Sequence, residues 1–163
     1  MTDLLKIIEL SLWTGIAGIG FGILFNIPRK AILTVFILGF GVGLIKSVLL
    51  KLGVNIIIAS FVAALFVGIF STPLAHKIHQ PPVVFSIPAV IPMIPGYFAY
   101  KTVLAIMNFT FMETDQTKRL ELIDAIFSNG FTMLFILISI TLGISLPLLL
   151  MRRSTVKKKS IKL

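Results

Sequence analysis

Apolar residues run along this chain in five long blocks with short polar punctuation between them. Each block lies near the roughly 20 residues that a bilayer core requires. The pattern predicts membrane-spanning helices over about 5–26, 31–50, 54–74, 83–109 and 129–151. The connections around Pro28-Arg29-Lys30 and Lys51-Leu52-Gly53 are short, which makes the first three helices antiparallel neighbours. The segment 110–128 is longer and polar, with Glu113, Asp115, Lys118, Arg119, Glu121 and Asp124. It reads as a loop whose second half, LELIDAIF, alternates apolar and acidic positions at helical spacing and is expected to lie along the interface. The expected fold class is an all-α integral membrane protein with about five transmembrane helices. One transmembrane domain would cover 1–151 and a basic cytoplasmic tail 152–163.

The fourth block departs from this regularity. Residues 81–101 read PPVVFSIPAVIPMIPGYFAYK, so Pro81, Pro82, Pro88, Pro92, Pro95 and Gly96 interrupt an apolar run. Proline lacks the N–H that a helix needs and biases the residue before it away from helical geometry. A bilayer tolerates such a break only where the freed carbonyls face protein or a wet cavity. An extended or broken passage is expected over about 86–96, with a new helix starting near Gly96 or Tyr97 and ending near Asn108. That second piece would be about 18 Å long, which puts its N-terminus inside the membrane. A helix N-terminus offers unpaired N–H groups and a partial positive charge. Lys101 would add a full charge one turn in, and Tyr97 and Tyr100 would add hydroxyls. Together these groups suit a carboxylate. A ligand-free kink and a Lys101 that snorkels to the headgroups are the plainer alternatives.

Composition supports the membrane assignment: 57% of residues are hydrophobic, 13% are charged, and mean hydropathy is +1.06. The net charge of +9 does not indicate a nucleic-acid partner, because Arg152, Arg153, Lys157, Lys158, Lys159 and Lys162 cluster directly after an apolar run. That placement suits an anchor against anionic lipid on the cytoplasmic side of a cell membrane. With the tail inside, Arg29, Lys30 and Lys77 also fall inside. The acidic 110–128 loop and the N-terminus fall outside, and only Lys51 disagrees. A fourth block that dipped in and returned would break this agreement, so a true crossing is expected. The first block lacks a basic start and a small-residue cleavage site, so it reads as a retained helix rather than a signal peptide. With no cysteine, thiolate metal sites and disulfides are excluded.

Gly18 with Gly22, Gly39 with Gly43, Ala64 with Gly68, and Ser139 with Gly143 are spaced four apart. Such pairs let helix backbones approach in lipid, within the chain or against a partner subunit. Glu9 lies in the first turns of the first block. It is interfacial, or else turned inward as a coupling carboxylate that takes a proton. Asn26 either caps the first helix or hydrogen-bonds across helices. His76 and His79 read as loop residues and make a poor metal site without further ligands. No phosphate-binding loop, nucleophile elbow or zinc-hydrolase spacing is present, so neither an enzyme nor a cofactor is expected. Polar residues are too few to line a passive channel.

The run VFSIPAVIPMIPGYFAY, with GFGILFNIP upstream and GISLPLLL-MRR near the end, resembles the threonine/serine exporter family, over nearly the whole chain. It is most similar to the short, separately encoded membrane half found in two-chain members. The resemblance implies export of threonine and serine, or of succinate. With no nucleotide-binding motif, transport is expected to be driven by a gradient, with proton coupling the simplest case, or by a partner. The resemblance also implies a longer homologous five-span partner subunit, although a homo-oligomer would also supply a second half. It places the family's motif on Pro88, Pro92, Met93, Pro95, Gly96 and Tyr100, together with Asn26 and Pro28. Lys101 lies outside that motif and enters on the reading of its position alone. A non-transporting accessory subunit is the competing function. It would tolerate replacement of Pro92, Pro95 and Gly96 as long as the complex assembles.

Overall fold

In the computed structural model, which describes residues 2–112 and 115–159, six α-helices carry the chain. They are α1 (Thr2–Leu24), α2 (Arg29–Lys51), α3 (Ile56–Ile78), α4 (Val83–Val90), α5 (Gly96–Met107) and α6 (Gln116–Lys159). A 3₁₀ turn (Ile91–Met93) extends α4, and a π-helical turn (Asn108–Met112) extends α5. No strand occurs among the described residues. Four helices are long and apolar enough to cross a membrane, and α4 with α5 makes a fifth if the bent pair is one span.

The helix ends follow local chemistry. α1 closes with Asn26 at φ 53°, its N–H donating to Ile23 O at 2.9 Å while Ile27 N–H donates to Gly22 O at 3.1 Å. This is a Schellman closure, and asparagine tolerates the left-handed conformation it demands. α2 ends the same way on Gly53 (φ 78°), with Val54 N–H donating to Leu49 O. α3 ends on His79 (φ 58°), with Gln80 N–H donating to Ala75 O. At its start, α3 is capped by Asn55 Oδ1, which accepts from Ile57 N–H at 2.8 Å.

The chain forms two compact units, Met1–Met93 with Ser139–Leu163, and Ile94–Ile138. In the first unit the buried positions are mostly small, and large apolar side chains such as Trp13, Leu24, Leu33 and Phe70 stay exposed. That distribution suits lipid, where close backbone approach rather than the hydrophobic effect joins helices. The spaced small residues make these approaches. A Cβ built on Gly43 would lie 2.8 Å from Ser11 Cα, and one on Gly39 would lie 3.2 Å from Gly15 Cα, so α2 rests directly on α1. A Cβ on Gly143 would lie 2.7 Å from Ala64 Cβ, and one on Gly68 would lie 2.8 Å from Gly143 O. Pro147, four residues after Gly143, has no N–H to offer that carbonyl. A carbonyl without a helical donor therefore sits against a glycine. Cβ atoms on Gly18 and Gly22 would lie 3.4 and 4.0 Å from Val35 Cγ1 of α2, so each of the four pairs has a member in packing within the chain.

The second unit holds α5 and the first part of α6. Thr102 packs on Gly130, whose added Cβ would lie 3.6 Å from Thr102 Cγ2. Phe127, Phe131 and Phe135 stack along α6 at centroid spacings of 5.8 and 6.5 Å.

Three expectations need correction. The chain stays helical through Pro88 and up to Met93, so the break is confined to Ile94-Pro95 rather than 86–96. The reason is that Pro88 and Pro92 each remove a single donor, to Val84 O and to Pro88 O, and such isolated losses are tolerable in a helix packed against α1, α2 and α3. The expected polar loop is largely absent, because α6 begins at Gln116 and runs unbroken past 151. Asp115 starts it, with Oδ1 accepting from Thr117 N–H at 3.0 Å, and no proline intervenes before the apolar stretch. α3 also passes through Pro73 to Ile78, beyond the expected end at 74.

Candidate functional site

In the proline-rich stretch, Pro95 has φ −79° and ψ 62°, and Gly96 N–H turns back to Ile94 O at 2.8 Å. These are the dihedrals and hydrogen bond of an inverse γ-turn. Ala99 N–H donates to Pro95 O at 3.1 Å. The amides of Tyr97 and Phe98 precede any acceptor within α5, so the helix begins with two bare N–H groups. A Cβ on Gly96 would meet nothing within 4 Å, so the space over this helix start is open.

Tyr97, Tyr100, Lys101 and Leu104 follow at helical spacing and share one face of α5, and all four are exposed. Lys101 Nζ sits 5.7 Å from the centre of the Tyr97 ring, a cation–π distance. The opposite side of the helix carries Ile106. Only Ala105 of α5 is buried. This short helix therefore presents a polar stripe in a stretch otherwise suited to hydrocarbon.

The first unit gathers a second group. A cavity of about 380 Å³ is lined by Phe25, Asn26, Ile27, Pro28, Val83, Val84, Ile87 and Pro88. Asn26 and Pro28 end one hairpin, Pro88 belongs to α4, and the fold brings the three to one hollow. Val84, whose carbonyl loses its donor to Pro88, also lines it, as Ile87 does. The sequence reading missed Val84 and Ile87. Counting four residues back from Pro88 would have marked Val84 as the owner of a freed carbonyl. Pro92 likewise frees Pro88 O, and a Cβ on Gly18 of α1 would lie 3.5 Å from that oxygen.

The remaining candidates fall as follows. Met93 is buried in the 3₁₀ turn and Pro92 is half-buried beside it. Pro95 is buried at the turn that starts α5. Glu9 is exposed on α1 and does not line this cavity. The motif straddles the two compact units, with Pro88, Pro92 and Met93 in the first and Pro95, Gly96, Tyr100 and Lys101 in the second.

The family profile described as threonine/serine exporter, ThrE, matches residues 11–150. The chain belongs to the threonine/serine exporter family. An uncharacterized protein of Haemophilus influenzae (strain KW20 / Rd) is 31% identical over 153 residues, covering 92% of this chain and 49% of that relative. The chain thus spans about half the length of the curated relative it matches. No solved structure matches it. Membership in this exporter family places the chain with multi-pass membrane transporters rather than with enzymes.

Proposed function

We propose that this chain is one half of a secondary exporter that carries threonine and serine out of the cell, with the substrate carboxylate meeting the start of α5. The bare amides of Tyr97 and Phe98, left by the inverse γ-turn at Pro95 and followed by Lys101, carry this reading. A discontinuous membrane helix that aims its N-terminus at an anionic group is a recurrent transporter device. Within the first unit, the cavity lined by Asn26, Pro28 and Pro88 is a separate place for substrate contact.

The partner is a longer homologous five-span subunit or a second copy of this chain, and the half-length match to the relative supports a two-half machine. The tail is cytoplasmic and the N-terminus outside, from the bias of Arg29, Lys30 and Lys77. Efflux from preloaded cells, with and without the partner and with threonine and succinate in parallel, tests the reading. Threonine efflux that needs this chain supports it, and succinate efflux alone moves the substrate to dicarboxylates. If neither leaves faster while the partner still requires this chain for assembly, an accessory role replaces it.

A further inference from the structure

The corner between α3 and α4 holds another, open-sided cavity of about 300 Å³, lined by Thr72, Ala75, His76, His79, Gln80 and Pro81-Pro82. That volume is at the small end of those that hold ligands. A helical threonine ordinarily donates its hydroxyl to a carbonyl three or four residues back. Here Ser71 Oγ donates to Gly68 O at 3.1 Å, and Thr72 Oγ1 is shielded from solvent with no partner. Leaving a buried hydroxyl unpaired costs about 1–3 kcal/mol, so an occupant that bonds it is stabilised by that margin.

Charge decides which occupant. No Asp or Glu occurs between residues 10 and 112, so α2, α3 and α4 offer the cavity no carboxylate. The carboxylates of α1, Asp3 and Glu9, lie at the end of that helix away from Asn26, and α6 has none from 139 on. Arg29, Lys30 and Lys77 belong to the same end of the unit as the cavity. The backbone at the rim is fixed, because the His79 and Gln80 amides both donate to Ala75 O. Two imidazoles, a carboxamide and a free hydroxyl therefore surround a space with no competing negative charge.

We infer that the α3–α4 corner is a binding site for a small oxyanion, held by the Thr72 hydroxyl, the imidazoles of His76 and His79 and the Gln80 amide. The oxyanion is the carboxylate of a soluble metabolite or the phosphate of an anionic lipid headgroup. This site does not depend on the export reading.

The test uses the purified full chain in phosphatidylcholine nanodiscs, titrated calorimetrically with succinate, L-threonine and inorganic phosphate against sodium chloride at matched ionic strength. A second arm counts bound phosphatidylglycerol by native mass spectrometry. Saturable binding is expected in at least one arm, with Thr72→Val and His79→Asn each weakening it about tenfold, or ~1.4 kcal/mol. Asparagine keeps the left-handed backbone at 79. Valine at 72 leaves the ligand-free protein as stable as before or more so, because it removes an unpaired hydroxyl. Absence of saturable binding in both arms overturns the site, as does binding that Thr72→Val leaves unchanged.

Discussion

α4 and α5 are the two pieces of one interrupted apolar run, and they are held in opposite ways. α4 buries Phe85, Ser86, Pro88, Ala89 and Val90 and packs against α1, α2 and α3. α5 buries Ala105 alone and exposes Tyr97, Tyr100 and Lys101 along one face. Proline density does not separate them, since α4 contains Pro88 and stays helical. What separates them is where the missing donors fall. Around α4 the freed Pro88 carbonyl is met by Gly18 of α1, and Val84, whose carbonyl also loses its donor, lines a cavity. At α5 the missing bonds are those of the Tyr97 and Phe98 N–H groups, beside a glycine whose added Cβ would meet nothing within 4 Å. The first piece is packed among its neighbours, and the second is exposed along most of its length.

Substitutions at two glycines would break this contrast if it is mistaken. Gly96→Leu should reduce efflux to background while the protein inserts and melts normally, because the new side chain enters open space without a clash and crowds the start of α5. Efflux from preloaded cells and the thermal midpoint in detergent check both halves. Gly18→Leu should do the reverse. Its Cβ would already touch Val35 Cγ1 at 3.4 Å and Pro88 O at 3.5 Å, so the larger side chain wedges α1 from α4. A loss of about 1–3 kcal/mol is expected, read as a lower thermal midpoint.

Smaller effects sharpen the picture. Lys101→Ala should weaken the apparent affinity for the exported carboxylate by about fivefold, near 1 kcal/mol, with stability unchanged. An unchanged affinity in transport assays would leave Lys101 as a snorkelling residue. Asn26→Ala should cost about 1 kcal/mol through the left-handed conformation alone, whereas Asn26→Gly should not. If Asn26→Gly keeps stability but slows efflux, the side chain acts in the first cavity as well as closing α1.

The helices of the first unit were legible because their signals are local. Apolar blocks of the right length and short charged turns give α1, α2 and α3 to within a few residues. The helix start at Gly96 was legible too, since Pro95 cannot continue a helix that needs its N–H. The reach of α4 through Pro88 was not, because proline's effect depends on what receives the orphaned carbonyl, and that is a tertiary matter. The length of α6 was hidden by its charged first turns, which read as a loop although Asp115 caps them. The meeting of Asn26, Pro28 and Pro88 at one cavity depends on how α4 returns against α1, which spacing along the chain does not encode. Thr72 gave no sequence signal. Its hydroxyl is unpartnered although Ser71 beside it donates to Gly68 O, a difference that spacing along the chain does not encode.

Because the chain has no cysteine, single-cysteine variants report one position each. The decisive measurement is the rate at which a membrane-impermeant, water-soluble maleimide labels Tyr100→Cys and Ile106→Cys in intact membranes, with and without threonine. The expected result is rapid labelling at 100 that threonine slows, and none at 106 on the opposite side of α5. A cysteine at 100 that stays as unreactive as one at 106, in protein that is correctly inserted, would mean that this face of α5 lies in lipid and not on a path for substrate.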